Sequence, residues 1–136
     1  MATEILVNDG GAPSRIIPMV CTAAVTAGDA LGADHGGTDA AAKCQKLDSG
    51  ATERHFIGVA LTDAATGALV NVVTGKGIVV RINCADLDGG VPLMASSTAG
   101  QLAVFTDGTA LQQSGPCAIT MEDGGGTAGL KKCLTI

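Results

Sequence analysis

Between Phe56 and Cys84 the chain reads FIGVALTDAATGALVNVVTGKGIVVRINC, and its apolar residues recur at every second position. Ile57, Val59 and Leu61 alternate with Gly58, Ala60 and Thr62; Val70 and Val72 alternate with Asn71 and Val73; Ile78, Val80 and Ile82 alternate with Val79, Arg81 and Asn83. A period of two is the signature of a strand, whose side chains point to opposite faces in turn. Asp63 to Gly67 offers Asp, small residues and a closing Gly between the first two runs. Gly75-Lys76 fits a two-residue turn of the primed type between the second and third. The expectation is a three-stranded meander, which is too small to be stable by itself and needs cover from the rest of the chain or from a partner.

With 136 residues the chain has the length of one domain. Phe56 and Phe105 are its only aromatic residues, and it carries 20 glycines. A core without Trp or Tyr lacks the side chains that bury the most area. Val, Ile, Leu and Ala must then build it, and oligomerisation or docking on a larger surface is the expected source of added stability.

Net charge is -5, and Asp29, Asp34, Asp39, Asp48, Asp63, Asp86, Asp88, Asp107, Glu122 and Asp123 are scattered beside small residues, as in solvated turns. No basic stripe and no stacking platform exists, which argues against a nucleic-acid partner, and no apolar run approaches a membrane span. Met1 to Val7 lacks the basic and apolar regions of a secretory leader, so synthesis in a reducing cytoplasm is expected. The odd count of cysteines agrees, and Cys21, Cys44, Cys84, Cys117 and Cys133 read as small buried hydrophobes.

Residues 1–18 read as an extended arm: a short piece at Glu4 to Val7, the flexible Asn8 to Pro13, then Ser14 to Pro18. Such a segment is either a frayed terminus or a strand that a neighbour or partner takes up. From Ile17 to Ala24 a strand is expected, then a turn at Thr26 to Asp29, a surface loop over Ala33 to Ala42 and a short strand at Cys44 to Leu47. Ala40 to Ala42 and Ala64-Ala65 leave room for a short helix at most.

Pieces of this order return after Cys84. Asp88 to Leu93 resembles Thr26 to Leu31, with Gly90 against Gly28; Gln101 to Thr106 resembles Cys44 to Leu47; Gly115 to Thr120 resembles Gly58 to Asp63; and Leu130 to Thr135 resembles Leu69 to Thr74. Asp107-Gly108 is a strong hairpin signal, and Asp123 to Gly126 lengthens the last hairpin. The reading is all-β: residues 19–136 form a single domain of two related β-meander halves, about 19–84 and 85–136, packed as a small barrel or sandwich behind an extended N-terminal arm.

Catalytic chemistry finds no foothold. His35, His55 and the cysteines show no metal-ligand spacing, so no metal or other cofactor is expected. Glu53-Arg54-His55 stands at the entry to a strand, where solvated polar residues belong; Glu122-Asp123 reads as a solvated turn rather than a cation site. Gly75-Lys76-Gly77 lacks the remaining positions of a phosphate loop.

Ala27 to Leu31, Ile57 to Gly67 and Val70 to Gly75 together resemble a family of small tailed-phage proteins of the capsid decoration, or cement, class. In that family a G-V-A-L strand, an Ala-rich turn closing on Gly and a V-x-V strand recur in both halves; here Gly115 to Thr120 keeps only the outline. The resemblance extends over about Ile17 to Ile136. It implies a non-enzymatic structural protein of the virion, made in the host cytoplasm, that sits on the outer surface of an icosahedral head. There it would act as a homotrimer that binds the major capsid protein and stabilises contacts between its subunits. The arm is the expected capsid-facing part: Thr3, Glu4, Ile5, Leu6 and Val7 with Arg15, Ile16 and Ile17. The competing class is a surface module that recognises glycans or a host surface, against which the lack of Trp and Tyr weighs.

Overall fold

The computed structural model describes residues 4–8, 14–34, 42–48, 55–106, 116–123 and 125–136. These residues are all-β. The strands are β1 (Leu6–Asn8), β2 (Arg15–Cys21), β3 (Ala30–Ala33), β4 (Lys43–Lys46), β5 (Phe56–Ala60), β6 (Leu69–Thr74), β7 (Val79–Cys84), β8 (Pro92–Ala95), β9 (Leu102–Val104), β10 (Ala118–Thr120) and β11 (Gly129–Thr135).

They close into two barrels of five strands. The first runs β2-β4-β3-β5-β6 and returns to β2. The second runs β7-β11-β10-β8-β9 and closes through the parallel pair Cys84↔Leu102, with β1 added to β7 as a further strand. Both barrels have the same connectivity: each opening strand pairs in parallel with the third strand and antiparallel with the fifth. Registers agree residue by residue. Ile17 faces Val72 as Val80 faces Cys133, and Cys21 faces Cys44 as Cys84 faces Leu102. The chain is therefore a structural tandem of β2–β6 and β7–β11.

This topology revises the expected meander. β5 and β6 form the antiparallel hairpin, but β7 pairs with β1, β9 and β11 and leaves β6 altogether. Gly75-Lys76 is accordingly a bridge between barrels. Period-two alternation reports that a segment is a strand and is silent about its neighbour. The structural repeat begins again at β7, one strand earlier than an 84/85 division. Of the repeated segments, Thr26 to Leu31 and Leu69 to Thr74 superpose in the expected register. In the pair formed by β5 and β10, however, Ala118 and not Gly115 takes the place of Gly58. Ala64-Ala65 forms no helix; Ala64 makes an isolated bridge to Val25. The loop around His35 and the Asp107-Gly108 turn lie outside the described residues.

Two apolar cores follow from this arrangement. Cys21, Val25, Leu31, Cys44, Ala60, Val70 and Val72 fill the first barrel. The larger cluster joins the second barrel's Val80, Ile82, Cys84, Leu93, Leu102 and Cys133 to Ala30, Leu47, Val59 and Val73 of the first. Adjacent apolar residues such as Val59-Ala60 and Val72-Val73 thus serve both: one side chain of each couple packs inside its barrel and the next packs against the other barrel.

Candidate interaction surface

The expected capsid-facing residues divide between the two barrels. Ile5 is buried at 3% exposure in the second core, and Leu6 pairs with Val80. The Arg81 N–H donates to the Ile5 carbonyl at 2.8 Å, and Arg81 Nη1 donates to the Glu4 carbonyl at 2.6 Å. This stretch adds a strand to its own chain, so Ile5 is not a wet residue; Glu4 and Val7 are exposed. Thr3 lies outside the described residues. Arg15, Ile16 and Ile17 belong to β2, where they pair with Thr74, Val73 and Val72.

Exposure along β2 is unusual for a strand in a barrel. Ile16 is 55% and Ile17 40% exposed, whereas Val80, the counterpart of Ile17, is fully buried. The cause is the presence or absence of one neighbour. β4 reaches β2 only at Val20 and Cys21, so the outer side of Arg15 to Pro18 meets no strand among the described residues. Directly opposed residues of an antiparallel pair share a face. Ile16, Pro18 and Val20 therefore stand on one face of the sheet opposite Val73, Asn71 and Leu69 in turn; Val73 is buried, and Leu69, at the far end from Ile16, is 67% exposed. Among the described residues, unpaired backbone and the exposed side chains of Ile16 and Ile17 coincide there.

A polar clamp lies at the other end of β2 and holds the barrels together. Asp29, 4% exposed, accepts the Thr26 N–H on Oδ2 at 2.8 Å and lies 3.6 Å from Lys46 Nζ. Asn83 Nδ2 of the second barrel donates to Asp29 Oδ1 at 3.5 Å, and its backbone N–H donates to the Gly28 carbonyl at 2.8 Å. Thr26, Ala27, Asp29, Lys46, Asn83 and Leu130 line a cavity of about 380 Å³ there. Each barrel also has a carboxylate that fixes its turn. Asp63 Oδ1 accepts the Ala27 N–H at 2.8 Å, and its counterpart Asp123 accepts the Gly89 N–H at 2.6 Å. Some of the turn acids are thus structural acceptors, a role that composition alone does not distinguish from solvation.

The thiols are packed rather than poised. Cys21, Cys44, Cys84 and Cys133 are buried and Cys117 is partly so. Burial, with Cys21 and Asp34 nearby, pushes the Cys44 thiol up to about 11, and burial pushes Cys117 up to about 12. Cys133 is raised by its contact with Cys84, 3.7 Å between sulfurs, and by burial. Protonated thiols are poor nucleophiles and poor metal ligands. Among the described residues no group of three or more His, Cys, Asp and Glu side chains is placed to hold a metal ion.

What these features define is an all-β protein of two equivalent five-stranded barrels, whose leading edge is covered in one and, among the described residues, uncovered in the other. Solved structures hold a counterpart. The chain is similar to the N-terminal base of the head fiber protein gp8.5 of bacteriophage phi29, with a TM-score of 0.69 at 15% identity, over 91% of this chain and 95% of that one. At that identity the likeness is one of fold. No protein-family model matches the chain, and no curated protein matches it.

Proposed function

We propose that this is a non-enzymatic structural protein of a phage virion, a decoration or cement protein that binds the outer surface of the head through the major capsid protein. One observation carries the reading: the whole-length likeness in fold to a protein described as a head fiber base. That likeness and the resemblance of the Ala27 to Gly75 motifs to decoration proteins are separate signals, one from backbone and one from sequence. The physical case is mass action. A protein that binds only the expanded shell stabilises that state in proportion to its occupancy, and many identical weak contacts on one particle combine. A closed β scaffold suits the role because it loses little conformational freedom on docking. Homotrimer formation, expected from the family resemblance, belongs to the same proposal.

The test is co-sedimentation. Purified protein is mixed with expanded, undecorated heads of the phage that encodes it, and the heads are pelleted and melted. Stoichiometric uptake and a higher melting temperature of the heads are the expected result. Protein left in the supernatant, with heads melting as before, overturns the reading and favours the glycan-binding class, which an array of immobilised glycans then examines.

A further inference from the structure

The two barrels differ at one place that their shared topology makes directly comparable. On β7 the groups facing away from β11 are met by β1: the Arg81 N–H donates to Ile5, and Leu6 and Asn8 stand opposite Val80 and Val79. The equivalent residues of β2 are Ile16, Ile17 and Pro18. Cys21 N–H points to β6, where it donates to Ala68, and Val20 N–H points the other way, to Ala42. Strand alternation then directs the Ile16 N–H and carbonyl, and the Pro18 carbonyl, outward to the side that β1 occupies in the second barrel. Among the described residues nothing pairs with them, and the exposure of Ile17 against the full burial of Val80 records the missing cover.

We propose that this β2 edge, Ser14 to Pro18, accepts an extended apolar segment of a different chain as an added strand, and, resting on the reading above, that the donor is a shell subunit. The occupant's chemistry follows from β1, which fills the matching slot with Ile-Leu-Val-Asn. It is a short extended segment with an apolar side chain to cover Ile17 and a neighbouring one, on the opposite face, to lie by Ile16. Backbone pairing supplies affinity and the alternate side chains supply selectivity. Pro18 selects among occupants. It stands where Arg81 donates in the second barrel, and it has no N–H to give. Two copies of this chain pairing β2 to β2 meet that missing donor twice, whereas a strand from another chain meets it once. A proline in this position is a known guard against indiscriminate edge pairing. The edge is thereby biased against self-association and toward a heterologous strand.

Two measurements decide it. In the first, the full chain carries at its C-terminus a Gly-Ser linker of about ten residues, with an r.m.s. span of about 17 Å, followed by a second copy of Glu-Ile-Leu-Val-Asn. Ile136 lines the same hollow as Gly75, which lies beside Ser14, so the added strand can reach β2. Hydrogen exchange at the Ile16 amide is expected to slow at least tenfold relative to a tether ending in Gly-Ser alone; equal exchange in the two overturns the edge as an acceptor. In the second, Ile16→Pro removes the outward N–H without touching a bond to β6. It is expected to keep the wild-type melting temperature within a few degrees and lose at least tenfold in binding to heads. Equal binding by Ile16→Pro overturns the shell segment as the occupant. If wild-type protein itself fails to bind heads, the functional reading falls, and the exchange measurement still decides the edge.

Discussion

The two barrels share connectivity, register and turn chemistry, yet among the described residues one has its leading strand covered and the other does not. β7 lies under β1, and Val80 is sealed; among the described residues β2 has no such cover, and Ile17 is 40% exposed. An internal duplication is a natural control, because sequence and fold supply the same frame twice and only the local chemistry differs. Single residues on the two edges differ as well. Arg81 donates its N–H to the incoming strand, and Pro18 in the same place cannot.

Substitutions at equivalent positions test the difference between the barrels directly. The largest effect is expected at the cover itself. Ile5→Ala should cost about 2–5 kcal/mol, as for other buried aliphatic truncations. Ile17→Ala, at the uncovered counterpart edge, should cost about 1 kcal/mol or less. Urea unfolding of the two variants measures both, and equal costs would mean that the edges are not different in kind.

Next comes the turn at the start of β3 and of β8. Gly28 has φ +92°, and a Cβ there would run into Leu130 of the other barrel; its counterpart Gly90 has φ +77° and open space around it. Gly28→Ala should therefore cost about 2–4 kcal/mol, backbone strain and overpacking together, and Gly90→Ala about 1–2 kcal/mol from strain alone. Thermal unfolding of the pair checks whether the barrels are locked at this contact.

A smaller effect should be equal in both halves. Asp63→Ala and Asp123→Ala each remove the acceptor of one turn N–H and should cost about 0.5–1.5 kcal/mol apiece. A large inequality in urea midpoints would contradict the equivalence of the two turns.

Near neutral pH the smallest effect comes from the thiols, and it grows only in alkaline solution. Cys44 and Cys117, one in each barrel, hold their protons up to about 11 and about 12 when folded, against an ordinary value of 9.0. Between those limits the folded chain binds more protons than the unfolded one, so stability falls as pH rises through that window and is unaffected by these thiols below it. Melting temperature followed from pH 7 to pH 10.5 should decline above pH 9, and Cys44→Ala or Cys117→Ala should each flatten part of the decline.

Much of the fold was legible because strand alternation and turn glycines are local signals. The runs at Ile57, Val70 and Val80 became strands, and Gly28 and Gly90 matched across the repeat because each ends a turn with positive φ. Partner choice was not legible. Which edge β7 joins depends on side chains packed from the other barrel, such as Val59 and Val73, whose apolar neighbours blur the alternation that would have marked a simple two-faced sheet. The same holds for the interaction surface. Ile5 and Ile16 look alike as apolar residues near the N-terminus, and only the fold separates the one that caps its own core from the one that stands exposed on β2. Asp29 reads as one turn acid among many until Lys46 and Asn83 are brought to it.

The most direct examination of the account is an electron cryomicroscopy reconstruction of heads saturated with the protein, at a resolution that traces the backbone. The account predicts density for this protein on the outer surface with its first barrel toward the shell and an extended segment of a capsid subunit running along Ile16 to Pro18. A bare shell, or a bound protein whose β2 edge faces solvent while another surface makes the contact, would contradict it.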